Sequence, residues 1–266
     1  MHDARGAANP GAPGMTKIIK DRSASIRGRL LVHSRRSGEE YQPTLTRFAI
    51  ERLLFRLSQS ELRDRYVLKR GMLFKAWPEN VFRPTGDLDL LGYGDPDPEA
   101  ITDTFRQICA IDSDDGLHFD LASIKVDPVR EADKYQGARV TVNGELAKAI
   151  IRVQIDIGFG DNVYPAPRLA NFPSILPDLP EATILMYPPE TVVAEKFEAM
   201  LRFGLANGRI KDFYDIWRTI RIFRFQLTTI VDAVEGTLTR RGTSIPSSMP
   251  EAFSQGYAVI ADERGL

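Results

Sequence analysis

The chain has 266 residues, enough for one large globular domain or two packed lobes. Hydrophobic residues make up 43% and charged residues 27%, and the formal net charge is −1, so no overall positive field attracts nucleic acid and any such contact has to come from local patches. The single cysteine, Cys109, excludes an internal disulfide and a cysteine-rich zinc site. The apolar runs are too short to span a membrane, and a soluble cytoplasmic protein is expected.

Residues 1–15, MHDARGAANPGAPGM, lack the hydrophobic core of a secretory signal and read as a disordered leader. From Ser23 to about Leu62 the apolar spacing predicts two helices around a turn in SRRSGEE. Short strands are then expected at 66–69, 88–91, 118–124, 139–143 and 151–159, with a helix over 99–111. These elements group as one domain over 16–160. Residues 161–189 hold seven prolines and are expected to be an irregular crossover between lobes. Helices over 190–203 and 209–223, and a weaker helical pattern to the end, make 190–266 a helical lobe. The fold class is α+β.

The most informative stretch is YVLKRGMLFKAWPENVFRPTGDLDLL, residues 66–91. Strand alternation puts Asp87 and Asp89 on one face and Leu88 and Leu90 on the other. Neighbouring carboxylates repel unless a cation lies between them, and oxygen ligands of this kind suit Mg²⁺ (or Mn²⁺). The later strand IIRVQIDIGFGD has an apolar face of Ile151, Val153, Ile155, Ile157 and Phe159, and an opposite face carrying Arg152, Gln154 and Asp156. If the two strands are neighbours, Asp156 is a third ligand, and two metals on three carboxylates can activate a hydroxyl and neutralise a leaving pyrophosphate. D-x-D alone is common on half-exposed strands; the third acid and the upstream strand-glycine-helix give it weight.

In the helical lobe, Lys196 falls within the apolar arc of Val192, Val193, Phe197, Met200 and Leu201. A triphosphate or a neighbouring aspartate would offset its desolvation; otherwise it snorkels to the rim. On the next helix Phe213, Ile216, Trp217, Ile220 and Phe223 share a face. Asp212 lies at its edge, where it can help cap the helix, and Asp215 sits further round, as a structural residue or as support for a site residue. His2, His33 and His118 have no metal-ligand spacing, and Cys109 reads as core. Basic residues cluster in 17–36 and recur as Arg218, Arg221 and Arg224, either as solvated faces or as grips on an RNA backbone.

A glycine after a strand, a spacer, an acid pair in D-h-D-h and a later strand acid resemble the DNA polymerase β nucleotidyltransferase superfamily. More closely, LKRGMLFKAW, RPTGDLDLLGYG, VQIDIGFGD, YPPETVVAEKFEAM and GRIKDFYDIW, in this order over about residues 66–217, look like the AbiEii/AbiGii toxin family. Residues 23–65 look like that family's N-terminal helices. The resemblance implies a polymerase β-like palm and transfer of a nucleotide from an NTP to an acceptor. It also implies Mg²⁺ or Mn²⁺ on Asp87, Asp89 and Asp156, and nucleotide contacts from Gly71, Met72 and Arg83. Lys196 and Asp212 belong to the implied active site, and Arg209 and Lys211 are implied phosphate contacts. Where the superfamily usually has Gly-Ser or Gly-Gly this chain has Gly71-Met72, which offers a triphosphate backbone N–H groups but no hydroxyl. The implied acceptor is the tRNA 3′ end, with arrest of translation as the result, and the implied partner is an AbiEi-type antitoxin encoded nearby. Nucleotidylation of a protein hydroxyl and a catalytically silent regulatory module are the competing readings; the intact Asp87, Asp89 and Asp156 argue against the second.

Overall fold

The computed structural model describes residues 21–77, 86–130, 136–204, 210–250 and 253–254. Helix α1 (Arg22–Ser37) begins where the Asp21 carboxylate accepts from the Ala24 N–H at 2.9 Å, and it ends at Gly38, whose φ of +72° only glycine adopts cheaply. Helix α2 (Tyr41–Ser58) is buried on nearly every side and carries Glu51, Arg52 and Arg56 into the interior. Each has neighbours there that hold it. Arg56 grips Asp115 with two bonds (2.7 and 3.1 Å) and donates to the Ile111, Arg52 and Leu117 carbonyls. Glu51 accepts from the Ile175 N–H and from Arg47, and Arg52 donates to the Pro180 carbonyl. A buried charge is tolerated only when held in this way.

Seven strands form one mixed sheet, ordered β3-β4-β5-β2-β1-β7-β6. They are β1 (Tyr66–Lys69), β2 (Leu88–Gly92), β3 (His118–Arg130), β4 (Gln136–Leu146), β5 (Ala149–Phe159), β6 (Arg168–Phe172) and β7 (Ala182–Met186). β2 and β5 are parallel, as are β1 and β7. Helix α3 (Pro98–Cys109), capped by Asp97, packs on β3, and α2 packs on β5 and β7. The apolar side chains of β5 (Ile151, Val153, Ile155, Ile157) join Leu45, Phe48 and Leu54 of α2 and Ile101 and Phe105 of α3 in the core. Alternation then turns Arg152, Gln154 and Asp156 to the opposite face. After β7, Pro188-Pro189 starts α4 (Pro189–Phe203), followed by α5 (Ile210–Ile222) and α6 (Leu227–Arg241). The architecture is α+β, with the expected strands present and β3 and β4 longer than predicted.

The proline-rich stretch is not an irregular crossover. It contains β6 and β7, and β7 borders β1 inside the sheet. The prolines stand at 165, 167, 173, 177, 180, 188 and 189, outside both strands, so no ladder hydrogen bond is lost. Glu51 and Arg52 of α2 fix the turn between them.

Candidate active site

The register of the central strands puts four charged side chains in one row on one sheet face. Lys69 of β1 lies opposite Asp89 of β2, Asp89 opposite Asp156 of β5, and Asp156 opposite Arg139 of β4. Directly opposed residues share a face. Asp127 of β3, opposite Arg139, extends the row at the rim. A cleft of about 260 Å³ opens over this row, lined by Lys69, Arg70, Asp89, Arg139, Asp156, Gly158, Asp161, Arg202 and Arg241 among others.

Each carboxylate in the row is engaged by an arginine. Asp156 accepts from Arg139 Nε (2.7 Å) and Nη2 (3.0 Å), and Asp89 accepts from Arg70 Nη1 (3.1 Å). Burial pushes the Asp89 carboxyl above the usual range, against the pull of Arg70 and Lys69, and Asp156 opposite adds to the rise. Asp87 stands just before β2, exposed, close enough to Arg139 to stabilise its charge. The three aspartates do not form a ready-made cluster: among the described residues no group of three or more His, Cys, Asp or Glu could hold a metal ion. Two opposed carboxylates nonetheless suit Mg²⁺ or Mn²⁺, which binds one or two carboxylates together with substrate phosphates.

The inner wall is a second set of charges. Lys69 is buried and pairs with Asp161 at 2.6 Å, and the Tyr187 hydroxyl donates to the same carboxylate. Arg241 of α6 reaches Glu198 (2.7 Å), Glu195 (3.2 Å) and Asp161 (3.7 Å), tying α6 and α4 to the end of β5. Burial alone would raise the Asp161 carboxyl, but Lys69, Arg241 and Tyr187 hold it below its ordinary value. A Cβ on Gly158 would sit 2.8 Å from Lys69 Nζ, so this position keeps the ammonium's place open.

The other expected site residues lie elsewhere. The Met72 side chain is fully buried in the core, so only its backbone is available to a nucleotide. Gly71 lies beside it in a 3₁₀ turn, Arg70–Lys75. Arg83 and Arg209 fall outside the described residues, as does the side chain of Lys211. Lys196 does not line the cleft; its ammonium meets Asp212 (2.8 Å) and Asp215 (2.7 Å), 5.8 Å above the Phe74 ring. Helix α5 is therefore turned differently from its apolar pattern. Asp212, Asp215 and Thr219 are buried, whereas Trp217 is 47% and Ile220 54% exposed. The Lys196 charge draws both acids inward, so Asp215 is as much its partner as Asp212. Of the N-terminal basic cluster, Arg22 and Arg27 donate to the Asp114 and Ala147 carbonyls and Arg29 pairs with Asp178, while Lys17 and Lys20 lie outside the described residues.

The family model described as nucleotidyl transferase AbiEii toxin, type IV toxin–antitoxin system, matches residues 52–260. The chain belongs to the AbiEii family. It is thereby a nucleotidyl transferase toxin of a type IV toxin–antitoxin system, and an antitoxin is the partner that goes with such a toxin. A similar solved structure is JHP933 from Helicobacter pylori, at 13% identity and a TM-score of 0.39, covering 85% of this chain and 96% of that one. No curated protein matches. Among the described residues of this AbiEii-family chain, no helix is long and apolar enough to cross a membrane.

Lys69, Arg70, Arg139, Asp161 and Arg241 escaped the reading of the sequence. For Lys69 and Arg70 a signal was present, since they immediately precede Gly71 in the motif LKRG. Arg70 adopts φ +59°, a left-handed conformation that costs a non-glycine residue about 1–2 kcal/mol. Such an outlier beside a cleft points to a side chain held for use. Arg70→Gly is expected to keep stability within about 1 kcal/mol of the parent, because relief of this strain offsets the lost pair with Asp89. The same change is expected to lower kcat/KM for the nucleotide by roughly tenfold or more, as one charge-assisted contact is removed. Melting curves and steady-state kinetics on one preparation check both halves.

Proposed function

We propose that this AbiEii-family chain transfers a nucleoside monophosphate from an NTP to an RNA acceptor, the 3′ end of tRNA, and so blocks translation. The observation that carries this reading is the set of charges lining the cleft. Five cations (Lys69, Arg70, Arg139, Arg202, Arg241) face three acids (Asp89, Asp156, Asp161), the balance for a polyphosphate that arrives with its own divalent ion. Asp89 and Asp156 would hold Mg²⁺ or Mn²⁺, with Asp87 at the strand entry; the ion supplies neutralisation of charge on the departing pyrophosphate. The acceptor hydroxyl oxygen would form a bond to the α-phosphorus as the bond to the bridging β-phosphate oxygen breaks, with pyrophosphate leaving and the hydroxyl proton passing to solvent. Arg70, Arg202 and Lys69 orient the phosphates by charge-assisted bonds.

An RNA acceptor is supported by the outer face of α5. The Arg221 guanidinium lies 4.5 Å from the Trp217 ring centre, Tyr214 packs beside that ring, and Arg224 is exposed. Exposed aromatics with arginines suit bases and backbone phosphates together. Incubation with labelled NTPs, total tRNA and a protein extract is expected to place label in the tRNA. Label in protein instead rejects the RNA acceptor. Neutralising Arg221 and Arg224 is expected to raise KM for tRNA and flatten its salt dependence while leaving KM for NTP nearly unchanged.

A further inference from the structure

Among the described residues Arg29, Arg56 and Arg139 each grip an aspartate with two bonds, and the last two differ in a way that bears on the cleft. Arg56 is buried with Asp115 and spends its remaining donors on the Ile111, Arg52 and Leu117 carbonyls. That is a structural clasp. Among the described residues Arg139 hydrogen-bonds only to Asp156, through Nε and Nη2, while Asp87 and Asp127 act on its charge from further off. Its side chain is 43% exposed against 3% for Arg56, and it stands on the cleft wall. Because this pair is open to solvent, water can take over the hydrogen bonds of either partner when it separates.

The Arg139 fork takes a lone pair on each oxygen of Asp156, so a metal ion coming to this carboxylate has to compete with the guanidinium charge already on it. Guanidinium matches the geometry of phosphate as well as that of carboxylate. We infer that Arg139 exchanges partners: without nucleotide it masks Asp156, and when an NTP enters with its divalent ion it releases the carboxylate and binds the phosphates. The inference rests on the nucleotide reading of the cleft. It makes metal and nucleotide binding cooperative, because the ion alone leaves the displaced arginine only the more distant pull of Asp87 and Asp127. With the triphosphate present, the displaced guanidinium gains a new anion.

The test is direct binding, without turnover. Mn²⁺ alone, and an NTP analogue with a non-cleavable α–β bridge in the presence of Mn²⁺, are titrated calorimetrically into the full chain and into Arg139→Ala and Arg139→Gln. Both substitutions are expected to tighten Mn²⁺ alone by about tenfold and to weaken the Mn²⁺-loaded analogue by about tenfold, one charge-assisted contact each way. Far-UV circular dichroism identifies a variant that misfolds, and the glutamine variant, closer in size, then serves alone. Weaker Mn²⁺ binding in the folded variants would show that Arg139 merely props Asp156 in place, and overturns the exchange. Unchanged analogue binding overturns it as well, since the guanidinium then never reaches the phosphates. If the parent chain binds no Mn²⁺-loaded analogue, the nucleotide reading itself falls and this inference with it.

Discussion

Asp89→Ala is expected to abolish nucleotide transfer while leaving the fold intact. Asp89 is in the middle of the charge row, opposite both Lys69 and Asp156, and no other carboxylate on β2 can replace it. On the proposed reading Asp89 would hold the ion that neutralises transition-state charge, and its loss should cost on the order of 4 kcal/mol, about a thousandfold in rate. Stability should change little. The alanine removes the repulsion from Asp156, and the Arg70 side chain, 42% exposed, stays solvated when its partner is lost. Label transfer to RNA and the melting temperature, measured on one sample, test both statements. Asp156→Asn should come close to it in damage, because it occupies the facing position on the parallel neighbour strand. Turnover within tenfold of the parent in either variant would remove these acids from the chemistry.

The largest effect on stability is expected at Lys196. Its ammonium is shared by two nearly buried acids, Asp212 at 3% and Asp215 at 5% side-chain exposure. Lys196→Met leaves two carboxylates facing each other in a desolvated place, and breaking a buried pair from one side typically costs about 3–5 kcal/mol. If that is the cause, a triple variant that adds Asp212→Asn and Asp215→Asn should recover much of the loss, because the repulsion is gone. Denaturant midpoints of the single and triple variants decide the matter. No recovery in the triple variant would mean that Lys196 is held chiefly by packing against Phe74.

The strands were legible where burial falls on one face. In β5 the apolar residues at 151, 153, 155 and 157 alternate with polar ones, and the structure follows that alternation. The acid pair at 87 and 89 could be read from its own sequence, because period two is a local property. Which residues oppose those acids is not local. Arg139 is 17 residues from Asp156, and Lys69 is 92 from Asp161, so each pairing depends on a register that no single segment specifies. The prolines misled because their number was read without their positions relative to the five-residue stretches between them. On α5 the apolar stripe suggested a buried face. The aspartates are inside instead because the Lys196 charge, carried by another helix, makes an inward acid cheaper than an inward tryptophan.

The strand order sets a timetable for biosynthesis. β1, made early, lies between β2 and β7, and the second border arrives only with the last strand of the sheet. Lys69 meets no Asp161 until the chain has passed β5, and the cleft wall still lacks Arg241 until α6 has been made and docked against α4. A nascent chain can thus carry both Asp89 and Asp156 and yet present no finished cleft.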